Sequence, residues 1–139
     1  MAAAIGTADS SVLVAGFLPK HPFHEQALAA LPSVRSVGRL VAHTMAEAYS
    51  VLTSHPFSHP TANVLRYLDQ FVDRPPIGLS PSAYPAAMQT LAEAEVTGSA
   101  IYDGLIAAAV REGELRLMSL DRRAARVYAL FGIDYEILI

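Results

Sequence analysis

Ile5-Gly6-Thr7-Ala8-Asp9-Ser10-Ser11-Val12-Leu13-Val14 sets one acid between two apolar runs. Ile5 to Ala8 reads as a short buried strand ending at Asp9, and Ser10-Ser11 opens an apolar turn or helix over Val12 to Leu18. Working outward, Pro19 and Pro22 punctuate the chain before a helix over Phe23 to Leu31, with Phe23, Ala27, Leu28 and Leu31 on one face. Val37 to Ala42 is strand-like. A helix runs from Thr44 to about Thr53 and stops at His55-Pro56. Thr61 to Phe71 is helical, with Val64, Leu65, Leu68 and Phe71 inward. Ile77 to Leu79 reads as a strand, Ser82 to Ala94 and Ala100 to Arg111 as helices, and Leu115 to Leu120 as a strand. Arg122 to Phe131 is a helix and Tyr135 to Leu138 a last strand. Strands that alternate with helices imply a parallel sheet covered on both faces. Ligands of such sheets gather beyond the carboxyl ends of the strands, where Asp9 and Asp121 both stand.

The bulk numbers bound what this sheet can serve. The chain has 139 residues, enough for one domain, with no repeat or linker to divide it. Hydrophobic residues make up 53% and charged residues 17%, and no apolar run approaches the ~20 residues that span a bilayer. The surplus apolar surface is therefore expected to meet another protein chain. No basic, secretion-type leader is read at the start. Cysteine is absent, which removes disulfides, thiolate nucleophiles and cysteine-rich zinc sites and fits a cytoplasmic protein. Net charge is -3, but position decides nucleic-acid binding more than the total does. Only Lys20 is lysine; the other nine basic residues are arginines, whose planar forks suit phosphate.

Four acids sit in unusually apolar surroundings: Asp9, Glu47, Asp103 and Asp121. Each has a plain structural reading. Asp9 and Asp121 stand where they would cap the turns that follow them, and Glu47 lies three residues after Thr44, a capping-box spacing. Asp103 fits that reading least, because a helix dipole contributes only about 0.3–1 kcal/mol toward burying its charge. Jointly they say more. Two carboxylates ~5 Å apart repel by about 3 kcal/mol at an effective dielectric of 20, so four on one edge need protons or cations. An all-oxygen donor set selects Mg²⁺ or Mn²⁺, or Ca²⁺, and a carboxylate-held, hydrated Mg²⁺ suits phosphodiester hydrolysis.

Ala8-Asp9-Ser10-Ser11-Val12-Leu13-Val14, Glu47-Ala48-Tyr49-Ser50-Val51-Leu52, Tyr102-Asp103-Gly104-Leu105-Ile106-Ala107-Ala108-Ala109 and Ser119-Leu120-Asp121 resemble the successive motifs of PIN domains. The branch they resemble most is that of the VapC-type toxins of bacterial toxin–antitoxin pairs. No one motif is specific; four in order, over nearly the whole chain, are. The resemblance implies an α/β fold, a three-layer α/β/α sandwich with a mostly parallel central sheet. It further implies an Mg²⁺- or Mn²⁺-dependent endoribonuclease cutting single-stranded or looped RNA. Asp9, Glu47, Asp103 and Asp121 become the acidic quartet, Ser119 a residue orienting a water or phosphate, and Ser10 and Ser11 helpers. A homodimer, a cognate antitoxin that inserts an arginine among the acids, and a cytoplasmic setting are implied as well.

The chain departs from the family after Asp121, where an aromatic is common and Arg123 and Ala124 stand instead. Arg122 and Arg123 could contact phosphate or simply be solvated. His55 and His59, and His21 and His24, have zinc-like spacings, but Pro56 and Pro60 break the helix that the former pair would need. Two other functions compete. One is a PIN-like binding module that has lost catalysis. The other is a phosphoryl-transfer enzyme using Asp9, which would want an acid where Ser11 stands.

Overall fold

A computed structural model describes residues 6–139. Its elements are β1 (Gly6–Ala8), α1 (Ser10–Phe17), α2 (His24–Val37), α3 (Ala42–Thr53), α4 (Thr61–Asp69), α5 (Ala83–Glu93), α6 (Ala100–Gly113), β2 (Arg116–Ser119), α7 (Ala125–Leu130) and β3 (Tyr135–Ile137). The strands pair in parallel in the order β1-β2-β3, with Ala8 opposite Met118 and Met118 opposite Glu136. Ile5, expected to open the first strand, lies outside the described residues.

Side chains of successive strand residues point to opposite faces of a sheet, and β2 uses both. Met118 joins a core with Val12, Leu13, Leu31, Leu52 and Leu68 from α1 to α4. Leu117 joins a second core with Leu91, Ile106, Val127, Tyr128 and Phe131 from α5 to α7. Helices therefore cover the sheet on both faces, the expected three layers. Among the described residues, no helix is long and apolar enough to cross a membrane.

Two expected strands are nearly absent. Val37 to Ala42 was expected to be extended, but α2 runs on to Val37 and ends at Gly38, whose φ of 67° is the left-handed turn that suits glycine. What remains is one parallel bridge, Val41 to Ile77, so Ile77 to Leu79 also shrinks to a single paired residue. The Thr7 hydroxyl donates to the Arg39 carbonyl at 2.8 Å, which holds this stub beside β1. Helix α2 continues through Pro32 because Leu28 and Pro32 are exposed, so water can satisfy the Leu28 carbonyl that proline leaves unpaired. Helix α7 is shorter than expected: Arg122 to Ala124 form turns, and the helix begins at Ala125.

Candidate active site

The Asp9 amide donates to the Met118 carbonyl at 3.0 Å, which continues the β1–β2 ladder one step and sets Asp9 beside Ser119. Asp9 is 4% exposed, and its carboxylate caps α1. One oxygen accepts the Ser11 amide at 3.1 Å, the Val12 amide at 3.4 Å and the Ser11 hydroxyl. The other accepts the Tyr128 hydroxyl at 2.7 Å. Ser11 also accepts the Leu120 amide at 2.9 Å, so one hydroxyl fastens the β1–α1 junction to the end of β2. Burial pushes the Asp9 carboxyl up from its ordinary value, while the Ser11, Ser119 and Tyr128 hydroxyls and the Val12 amide pull the other way. The capping role and the place at the sheet edge turn out to coexist.

Asp103 lies in the first turn of α6 and is half-buried. Burial, then the charges of Asp121, Asp9 and Glu47, push its carboxyl up to about 6. The quartet therefore shares one field: Asp103 responds to all three other acids. Glu47 does not form the expected capping box. Helix α3 starts earlier, at Ala42; Thr44 lies inside it with an unpartnered hydroxyl, and Glu47 instead accepts the Ser10 hydroxyl at 2.8 Å. Asp121 accepts the Arg123 amide at 2.9 Å, a turn rather than the cap of a helix starting at Arg122. Its own amide donates to the Ser119 hydroxyl at 2.9 Å, and Ser119 is fully buried.

The four acids share a field without closing on a point. Among the described residues, no three His, Asp or Glu side chains stand close enough to hold a metal ion. The four ion pairs found among them include neither Asp9 nor Asp103; Asp121 has only Arg123 at 3.8 Å, and Glu47 only His43 at 4.0 Å. Oxygen donors with little cationic compensation, and no three of them close together, fit an ion held by one or two carboxylates that keeps several of its waters, as Mg²⁺ does. Arg122 and Arg123 are both exposed beyond Asp121, where an anion could reach them, although Arg123 already stands 3.8 Å from Asp121.

Tyr128 was missed in the sequence. A buried tyrosine needs a partner for its hydroxyl, and its place in the apolar Val127-Tyr128-Ala129-Leu130 run was the available signal. Burial first, then Asp9, push its hydroxyl far up, so it remains a donor at any working pH. His43 and Tyr102 also flank the acids. Their rings stack 5.1 Å apart at 15°, beside Glu47 and Asp103.

The PIN domain family pattern matches residues 7–130 of the chain. The chain is 37% identical over 132 residues to Ribonuclease VapC40 of Mycobacterium tuberculosis, covering 94% of this chain and 96% of that protein. It is 33% identical over 127 residues to Ribonuclease VapC27 of the same organism, covering 90% of each. With its acids at the carboxyl edge of a parallel sheet and these likenesses over nearly its whole length, the chain belongs to the PIN-domain family, in its VapC-type branch.

Proposed function

We propose that this chain is the toxin of a toxin–antitoxin pair, an endoribonuclease that uses Mg²⁺ or Mn²⁺ to hydrolyse phosphodiester bonds in single-stranded or looped RNA such as tRNA or rRNA. The observation that carries this reading is Asp103, half-buried, without an ion pair among the described residues, and in the field of three further acids. Relatives 37% and 33% identical over nine-tenths or more of the chain are ribonucleases by name. Asp9, Glu47, Asp103 and Asp121 would hold the ion, which would supply a water nucleophile near neutral pH and offset charge on the phosphoryl group. Asp9 brings a carboxylate already oriented by Ser11 and Tyr128. Ser119, fully buried, holds the Asp121 amide with its hydroxyl and so would act on a water or phosphate through Asp121, Ser10 steadies Glu47, and Arg122 and Arg123 draw in the RNA backbone.

The cognate antitoxin and a second copy of the chain are the expected protein partners, in the cytoplasm. Leu65, expected to face inward but 50% exposed, Tyr84 at 49% and Tyr102 at 42% offer apolar surface for such contacts. That no three of the acids stand together among the described residues favours one other reading, a PIN-like module that binds RNA or protein without cutting it.

Purified protein, free of any antitoxin, is expected to cut RNA with Mg²⁺ or Mn²⁺ and to stop in excess chelator. Asp9→Asn and Asp103→Asn should each reduce cleavage by about a thousandfold, the several kcal/mol that metal-assisted charge stabilisation supplies. Cleavage that survives chelator, or survives Asp103→Asn undiminished, overturns the reading; RNA binding without cleavage by the wild type establishes the module.

A further inference from the structure

Two cavities on the α1–α2 side of the sheet edge share one wall. The nearer, of about 380 Å³, is lined by Ser10, Ser11, Asp121, Arg123, His21 and Phe23, so it opens directly from the acids. The farther, of about 510 Å³, is lined by Pro19, Lys20, His21, Phe57 and His59 among others. His21 belongs to both. Meeting at His21, they mark out a track from Asp121, past the α1–α2 loop, to the loop that follows α3.

The chemistry of this track differs from that of the acidic edge. Its charged side chains beyond Asp121 are cationic: Arg123, then Lys20, the chain's one lysine. His21 accepts the Phe23 amide at its Nδ1, 3.1 Å away, which leaves Nε2 to carry the donor proton. Aromatic surface is interleaved with these donors. Phe57 is 41% exposed, Phe23 lies beside the His21 ring, and His59 is held edge-on against Phe17 at 4.8 Å. The farther cavity has an almost wholly apolar floor, with Leu18, Pro19, Pro22 and Phe57 in its lining, and Lys20 is its one charged side chain among the described residues. An apolar floor bordered by cations suits an unpaired nucleic-acid strand, because every base has a face to stack and every linkage a charge to meet.

We propose that this track carries the single-stranded RNA flanking the bond to be cut, with a base stacked on Phe57 and a phosphate met by Lys20. The proposal rests on the ribonuclease reading and adds the path of the substrate. A strand that presents a phosphate at the acids must leave the edge, and this exit replaces repulsion from Asp121 with attraction. The track should therefore govern affinity for longer RNA while leaving contact with a minimal substrate unchanged.

The test is fluorescence anisotropy of single-stranded RNAs of about ten and about four nucleotides, with Phe57→Ala, Phe57→Trp and Lys20→Ala each placed in the Asp103→Asn background. Both positions are exposed, so the fold should tolerate the changes. Phe57→Ala should weaken the longer RNA about tenfold and spare the shorter one, and Phe57→Trp should restore binding. Lys20→Ala should make the slope of log affinity against log salt shallower by about 0.7, one phosphate contact. Equal affinities for both lengths in every variant overturn the proposal. So does a change in sedimentation behaviour with RNA affinity untouched, which would assign Phe57 to a contact between copies. Loss of cleavage in the Asp103→Asn protein itself is scored separately and tests the reaction, not the track.

Discussion

Asp9 and Asp103 face the same edge of the sheet, yet they are held there by opposite means. Asp9 is buried, and its carboxylate is met by two amides and two hydroxyls, with Ser11 linking it onward to Leu120. Asp103 has no ion pair among the described residues and is placed by its helix, which packs on α5 so closely that a Cβ on Gly104 would stand 2.5 Å from the Leu91 side chain. Hydrogen bonds give Asp9 a fixed direction; packing gives Asp103 a position while leaving its charge uncompensated. A site of this kind divides its work. One acid is oriented before any ligand arrives, and the other keeps the electrostatic demand that a cation would answer.

The largest way to break this contrast is Gly104→Val. Leu91 is 1% exposed and has little room to yield, so overpacking should cost about 2–3 kcal/mol, read as a lower denaturation midpoint. Spectra of the Asp9 and Tyr128 region should change less than those of α5 and α6. Tyr128→Phe attacks the other side. It removes the 2.7 Å donor from a buried carboxylate and should cost about 1–2 kcal/mol near neutral pH. Because that donor favours the ionised form, its loss should push the Asp9 carboxyl higher still. The acidic limb of the cleavage profile should then move to higher pH, and the stability cost should shrink in acid.

Asp103→Asn sharpens the contrast through a gain. The folded carboxyl titrates at about 6, above the value of 3.8 expected of the free side chain, so the fold favours the protonated form. Stability therefore falls as pH rises from about 4 through about 6, and at pH 7.5 the ionised group works against folding. For a half-exposed group, solvent screening leaves about 1 kcal/mol of this, or about 3 °C in melting temperature. Asp103→Asn should thus melt higher than the wild type at pH 7.5 and no higher below pH 4, by scanning calorimetry.

The sequence made the acids legible because each breaks an apolar run, and apolar runs are where a carboxylate is conspicuous. It made the layers legible because period-2 and period-3.6 stretches alternate. The strand expected at Val37 to Ala42 failed for a local reason: the apolar residues there serve the last turn of α2 and a one-residue bridge, and Gly38 provides the turn between them. Glu47 and Thr44 have the spacing of a capping box, but the helix begins before them, and spacing alone does not set where a helix starts. Tyr128 reaches Asp9 across 119 positions, and Ser11 reaches Leu120 across 109. Long-range hydrogen bonds of that kind leave no periodic mark, so the sequence named the acids, with Ser10 and Ser11 as helpers, but not Tyr128 or the link to Leu120.

Calorimetric titration of Mn²⁺ into the wild type and into Asp103→Asn at pH 7.5 tests the shared acidic field most directly. The wild type should bind the ion, and the variant should bind it at least about tenfold more weakly, because one of the charges attracting it is gone. Equal affinity in the two proteins, or no uptake by the wild type, would contradict a cation site built on Asp103.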